Sequence, residues 1–76
     1  MLLINAKIKG QYVIKNVFVK DAQIKKRLFD LGIKKGAKIT IERSSFLKAC
    51  FIVLVSEKRI ALSKQILMEI EVWTKI

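Results

Sequence analysis

The sequence predicts a mainly β domain, with about five short strands curled into a small closed or nearly closed barrel that carries one α-helix. Three features predict it. Short runs rich in β-branched and aromatic residues alternate with polar ones along most of the 76 residues, the period-two signature of strands. A single segment, Asp21–Leu31, departs from that alternation and repeats at helical spacing. Two of only three glycines, Gly32 and Gly36, stand where the helical period gives way to the alternating one. Short strands joined by tight turns avoid exposed edges by closing on themselves, which is why the pattern reads as a barrel.

Gly10 marks a turn, and Gln11–Lys20 (QYVIKNVFVK) follows with Tyr12, Ile14, Val17 and Val19 as its strand formers. The alternation slips at Lys15-Asn16, which predicts a bulge or bend. In Asp21–Leu31 (DAQIKKRLFDL), Ile24, Leu28 and Leu31 fall at i, i+4 and i+7. That spacing predicts a helix over about residues 22–31 with those three side chains facing inward. Asp21 is its N-cap, because a carboxylate there accepts an unpaired amide of the first turn and meets the positive end of the helix dipole. Lys25, Lys26 and Arg27 lie off the apolar stripe, toward solvent.

Gly32 occupies the site after the helix where the chain turns left-handed and a Cβ is costly, with Ile33 packing back on the last turn. Ile33–Gly36 reads as a tight turn with positive φ at Gly36. The order helix–turn–strand excludes a phosphate cradle, which needs strand–loop–helix so that amides point at the ligand. Ala37–Glu42 alternate cleanly, with Ala37, Ile39 and Ile41 on one face. A polar break at Arg43-Ser44-Ser45 leads to Phe46-Leu47 in a loop. Ala49–Val55 is a strand apolar on both faces, Ser56-Glu57-Lys58 a turn, and Arg59–Leu62 a short strand. Ser63 caps a short helical turn near residues 64–68, and Glu69–Trp73 ends the pattern with Ile70 and Val72 inward.

Residues 1–76 read as a single domain. A chain of this size buries roughly 60% of its unfolded surface. Its hydrophobic content of 53% and mean hydropathy of +0.33 therefore either offset small size or leave an apolar patch exposed. Cys50 is the one cysteine, so an internal disulfide or CxxC pair is excluded and a reducing cytoplasmic setting is expected. The longest apolar run, Ala49–Val55, falls far short of the about 20 residues that span a bilayer. Met1–Ile4 is followed by no long apolar region and reads as no signal peptide.

The chemistry available is sparse. Histidine is absent, which removes the side chain best matched to proton transfer near neutral pH. Cys50, in an apolar strand with no histidine to activate it, reads as a small buried hydrophobe rather than a nucleophile. Glu69 and Glu71, at i and i+2, read as a like-charged pair on a solvated sheet face, with weak hard-cation binding the alternative. With one thiol and scattered carboxylates, no metal site, no cofactor and no catalytic residues are expected; the chain is not expected to be an enzyme. The net charge is +10, and thirteen of the sixteen basic residues are lysines. Such a balance favours nucleic acid, an anionic membrane surface or an acidic protein face, with a merely solvated basic surface as the bland alternative.

The arrangement is similar to the ferrous iron transport protein A (FeoA) family, a small SH3-like barrel. The residues carrying the likeness are Arg27-Leu28, Leu31-Gly32-Ile33 and Gly36, matching the family's RLxxLGixxG core. The strand Lys38–Glu42, the I-A-L-S-K of Ile60–Lys64 and the I-E-V of Ile70–Val72 follow in order. The chain departs from the family at Ser45–Ala49, which lacks the usual proline and glycine. It departs again at Ser63, where an arginine is typical, and at Ile66-Leu67, where Glu-Ala is usual. The resemblance implies a cytosolic accessory of ferrous iron uptake whose partner is the GTP-dependent membrane transporter FeoB. An arginine reaching the transporter's nucleotide would be Arg27, Arg43 or Arg59; Arg27 is expected instead to brace the helix or pair with an acid.

One face of Ala49–Val55 points outward in a barrel and is either covered by the helix or forms a docking surface. The docking surface is the functional expectation, with Phe46 and Leu47 as apolar anchors ringed by Arg43, Lys48 and Lys58, which suits an acidic, partly apolar partner. Peripheral contact with anionic lipid is compatible with it. The alternative class is a basic module binding nucleic acid. Lys25, Lys26, Arg27, Lys34 and Lys35 support it, and the lack of an aromatic interleaved with them counts against it.

Overall fold

Among the described residues five strands form one antiparallel sheet in the order β4-β3-β2-β1-β5. They are β1 (Tyr12–Val17), β2 (Lys38–Ser44), β3 (Cys50–Val55), β4 (Lys58–Ser63) and β5 (Ile70–Thr74). Helix α1 (Ala22–Asp30) joins β1 to β2, and α2 (Lys64–Leu67) joins β4 to β5. The computed structural model describes residues 1–45 and 49–74. Phe46, Leu47 and Lys48 of the expected docking surface lie outside the described residues.

The two edge strands are consecutive in the chain, and this dictates the curl. Laid flat, five strands would hold their outer members about 19 Å apart. The four residues of α2 advance only about 6 Å as a helical turn. The sheet therefore rolls up until β4 and β5 face each other across α2, whose Leu67 is fully buried in the gap. Ser63 caps α2 as expected, its Oγ accepting from Ile66 N at 3.3 Å. The free side of β5 is covered by the start of the chain, where Val72 N donates to Met1 O at 2.7 Å and Leu2 bridges Glu71.

Two bulges shape the barrel. In β1, Ile14 pairs with Val72 and Asn16 with Glu71, leaving Lys15 as the extra residue, where the sequence alternation slips. Beyond this bend β1 pairs with β5 alone, because its pairing with β2 is confined to Tyr12 and Val13. The second bulge is in β2, where the register to β3 shifts between Ile41 and Arg43. It was not anticipated, since the side chains alternate cleanly through Glu42. The alternating inward residues Ile39, Ile41, Phe51, Val53 and Val55, with Leu3, Ile14, Ile33, Leu62, Ile70 and Val72, make the core.

Helix α1 begins as predicted, with Asp21 Oδ1 accepting from Gln23 N at 2.9 Å and Ile24 N at 3.1 Å. Its end is a paired-bond glycine cap: Gly32 N donates to Phe29 O and Ile33 N to Leu28 O, at 3.0 and 2.8 Å, with Gly32 at φ +96°. Leu28 and Ile33, the two residues such a cap brings together, are both buried. The next turn sits one residue later than the sequence suggested, spanning Lys34–Ala37. Ala37 N closes it on Lys34 O at 3.0 Å, with Gly36 at φ +90°.

One expectation about α1 is corrected. Leu28 is its one buried residue, whereas the other eight of the nine are exposed, Ile24 by 41%. Leu31, also expected inward, is half-buried at the C-cap. An apolar stripe buries only as far as a partner surface extends. Here a single turn of the helix, held by Leu28 and the glycine cap, reaches the barrel.

Candidate docking surfaces

The glutamates near β5 are engaged in local contacts. Glu71 is held by Lys15 and Asn16, with Lys15 Nζ at 3.8 Å from Oε2 and Asn16 Nδ2 donating to Oε1 at 3.3 Å. Glu69 falls before β5 and accepts from Gln65 Nε2 at 2.8 Å. The two glutamates thus serve separate local bonds rather than forming a like-charged pair. Lys15 Nζ also lies 4.2 Å from the ring centre of Trp73. Among the described residues, no three of Cys, Asp and Glu come together as metal ligands. Cys50 is half-buried rather than buried, because the period of β3 places it on the outward face with Ile52 and Leu54. Arg27 is exposed and makes no ion pair among the described residues.

The outward face of β3 is the first candidate surface. Cys50, Ile52 and Leu54 are half-buried there, between β2 and β4. Arg43 pairs with Ile52 and Arg59 with Leu54, so both basic side chains belong to this outward face. Glu42 Oε1 accepts from Arg59 Nε at 2.7 Å, joining β2 to β4 over β3. Lys58 instead pairs with the buried Val55, three residues along β3 from Ile52. The register therefore places Arg43 and Lys58 on opposite faces of the sheet, and Arg59 takes the position beside the stripe. The neck of the β2–β3 loop is tied by Ser45. Its Oγ accepts from Ala49 N and Cys50 N, each at 3.2 Å, while its own N–H donates to Cys50 O at 2.8 Å. An open hollow of about 310 Å³ lies between Arg43, Ser45, Cys50 and Ile52.

The second surface is the flank of α1. Ala22, Lys25, Lys26 and Phe29 lie at i, i+3, i+4 and i+7, one exposed helical stripe. Phe29 is 57% exposed. The glycine cap folds the following turn back beside it, so Lys34 Nζ lies 5.1 Å from the Phe29 ring centre. Lys25, Lys34 and Lys35 border Phe29 in one hollow of about 290 Å³, and Lys25, Lys26 and Asp30 border it in another. This overturns the point made from sequence that no aromatic accompanies these lysines. Phe29 does, and the i, i+3, i+4, i+7 spacing of its stripe was the available signal. On the other side of α1, exposed Phe18 and Ile24 meet Ile66 of α2 across an open groove of about 420 Å³.

Comparison with known proteins fixes the lineage. The FeoA domain profile matches residues 1–73. The chain belongs to the FeoA family. No functionally curated protein is similar enough in sequence to register as a relative. Among solved structures, the FeoA protein of Chlorobium tepidum superposes with a TM-score of 0.88 at 25% identity, over 95% of this chain and 68% of that one. The zinc complex of Stenotrophomonas maltophilia FeoA, an SH3 domain protein, gives 0.79 at 23% identity, over 95% and 88%. ScaR with bound Zn²⁺ gives 0.80 at 25% identity, covering all of this chain but only 37% of its own length. The barrel is accordingly SH3-like, and the family association is with ferrous iron transport.

Proposed function

We propose that this FeoA-family chain is a cytosolic accessory of ferrous iron uptake that docks on a FeoB-type membrane transporter. The contact is the outward face of β2 and β3, together with Phe46 and Leu47, which follow β2 in the sequence. The observation that carries the reading is the stripe Cys50, Ile52 and Leu54, left half-exposed on a strand whose other face already fills the core. Arg43 beside it, with Arg59 tied to Glu42 across it, gives the stripe a polar margin. An apolar centre with a charged rim is the anatomy of a protein contact. Family membership supports the transport role, and the Stenotrophomonas maltophilia protein has been put forward, without being established, as a ferrous iron transport activating factor.

The test is capture of the detergent-solubilised transporter by tagged chain, alongside ferrous iron uptake in cells. Phe46→Ser with Leu47→Ser, and separately Ile52→Ser, should abolish capture and lower uptake while the barrel stays folded. Unchanged capture and uptake in both variants would overturn the assignment of this face.

A further inference from the structure

We propose that the Phe29 flank of α1 is a binding site for anionic lipid bilayers, by which the domain rests on the membrane surface independently of any protein partner. The ring projects from a helix with eight of its nine residues exposed. Lys25, Lys26, Lys34 and Lys35 surround it, against the one bordering acid, Asp30. Their ammonium groups sit on flexible stems that let apolar carbons lie at the interface while the charge reaches lipid phosphates. Phe29, more than half exposed, enters the headgroup region as the apolar anchor. A net charge of +10 supplies the longer-range attraction.

Two alternatives fit the same patch less well. Protein interfaces are depleted in lysine and enriched in arginine, whereas the four basic residues here are all lysines. Single-stranded nucleic acid calls for successive aromatic platforms. Among the described residues Phe29 is the one aromatic bordering these lysines, with Lys34 Nζ 5.1 Å from its ring centre, and Phe18 lines the groove shared with α2 instead. An exposed, lysine-ringed aromatic matches a laterally mobile anionic surface better than either.

The experiment is co-sedimentation of the whole chain with protein-free vesicles at physiological salt. One set is phosphatidylcholine alone; the other contains about a third phosphatidylglycerol. Binding is expected to the anionic set only. Each lysine near such a surface contributes about a fivefold gain in partitioning, so Lys25→Gln with Lys26→Gln should weaken binding roughly 25-fold. Phe29→Ser should weaken it with all the lysines kept. Arg43→Gln with Lys58→Gln removes the same charge from the sheet and should lower binding much less. Chemical-shift perturbation centred on residues 25–35 would mark the contact. The proposal is overturned if the chain ignores anionic vesicles, or if the sheet variant loses as much as the helix variant. It is also overturned if a single-stranded oligonucleotide binds where vesicles do not. Because the vesicles contain no transporter, these results stand apart from the docking test above.

Discussion

Gly32 and Gly36 share a left-handed backbone, with φ of +96° and +90°, but not a neighbourhood. Replacing each with alanine separates backbone strain from steric contact. A left-handed conformation costs an L-residue about 1–2 kcal/mol. Part of this is returned because alanine has fewer unfolded conformations to lose, worth about 0.4–1 kcal/mol. At Gly36 a new Cβ meets nothing within 4 Å. The net loss there should be about 1 kcal/mol or less, or roughly 4–8 °C in Tm per kcal/mol for a domain of this size. At Gly32 the same Cβ would stand 3.2 Å from Ser56 Oγ and 3.4 Å from Val55 Cγ1, in the β3–β4 hairpin. Relieving that contact adds overpacking of about 1–3 kcal/mol. Gly32→Ala should thus lose about two to four times as much as Gly36→Ala in urea titrations with unchanged m. Ser56→Gly removes the nearest contact at no backbone cost, since Ser56 is itself at φ +50°. In that background the Gly32→Ala loss should fall by about 1 kcal/mol, the coupling expected of touching residues. Equal losses at the two glycines, or full additivity with Ser56→Gly, would refute the claim that Gly32 seats α1 on the hairpin.

Two further outcomes follow from the geometry. Val55 pairs with Lys58, so Ser56-Glu57 is a two-residue hairpin loop with both residues at positive φ, a conformation that favours Asn-Gly. Replacing the pair with Asn-Gly should raise stability by about 1–2 kcal/mol, read as a higher urea midpoint; no gain would mean that the loop is not strained. Leu28→Ala should cost about 2–4 kcal/mol as a buried large-to-small change, whereas Phe29→Ser should stay within about 0.5 kcal/mol as an exposed one. Thermal melts of the two neighbours would contradict the described orientation of α1 if Phe29→Ser were the more damaging.

Much of the fold was legible because it is set by local backbone requirements. Asp21, Gly32, Gly36 and Ser63 each announce a cap or turn through side-chain chemistry acting within a few residues, and each does that work. The slip at Lys15-Asn16 was visible because an extra residue breaks the alternation itself. The bulge between Ile41 and Arg43 was not, since it depends on the register to β3, which the pattern within β2 does not record. The hairpin at Ser56-Glu57 was visible as a turn, but its left-handed conformation was not, as neither residue is the glycine or asparagine that advertises it. The surfaces were harder still. Ile24 was assigned inward on the premise that a helix buries its whole apolar stripe. The stripe of Phe29 with Lys25 and Lys26 is visible in the helical spacing, but Lys34 and Lys35 join it only after the glycine cap reverses the chain.

That reversal bears on what α1 is for. A helix that buries Leu28 alone contributes little of the burial that a 76-residue domain needs. Yet its start is capped by Asp21, and its end is closed by two backbone bonds and seated against the β3–β4 hairpin through Gly32. A segment that the core scarcely uses, but that is fixed at both ends, is built to be presented. Of the large apolar side chains left exposed, Ile24 with the neighbouring Phe18 lines one side of this element and Phe29 the other. Leaving them in water forfeits burial worth about 25 cal/mol for each Å² of apolar surface. That cost is recovered only when something covers the helix. On this argument the high hydrophobic content of the chain exceeds what the barrel buries, and part of the surplus stands on α1 and on the outward face of β3.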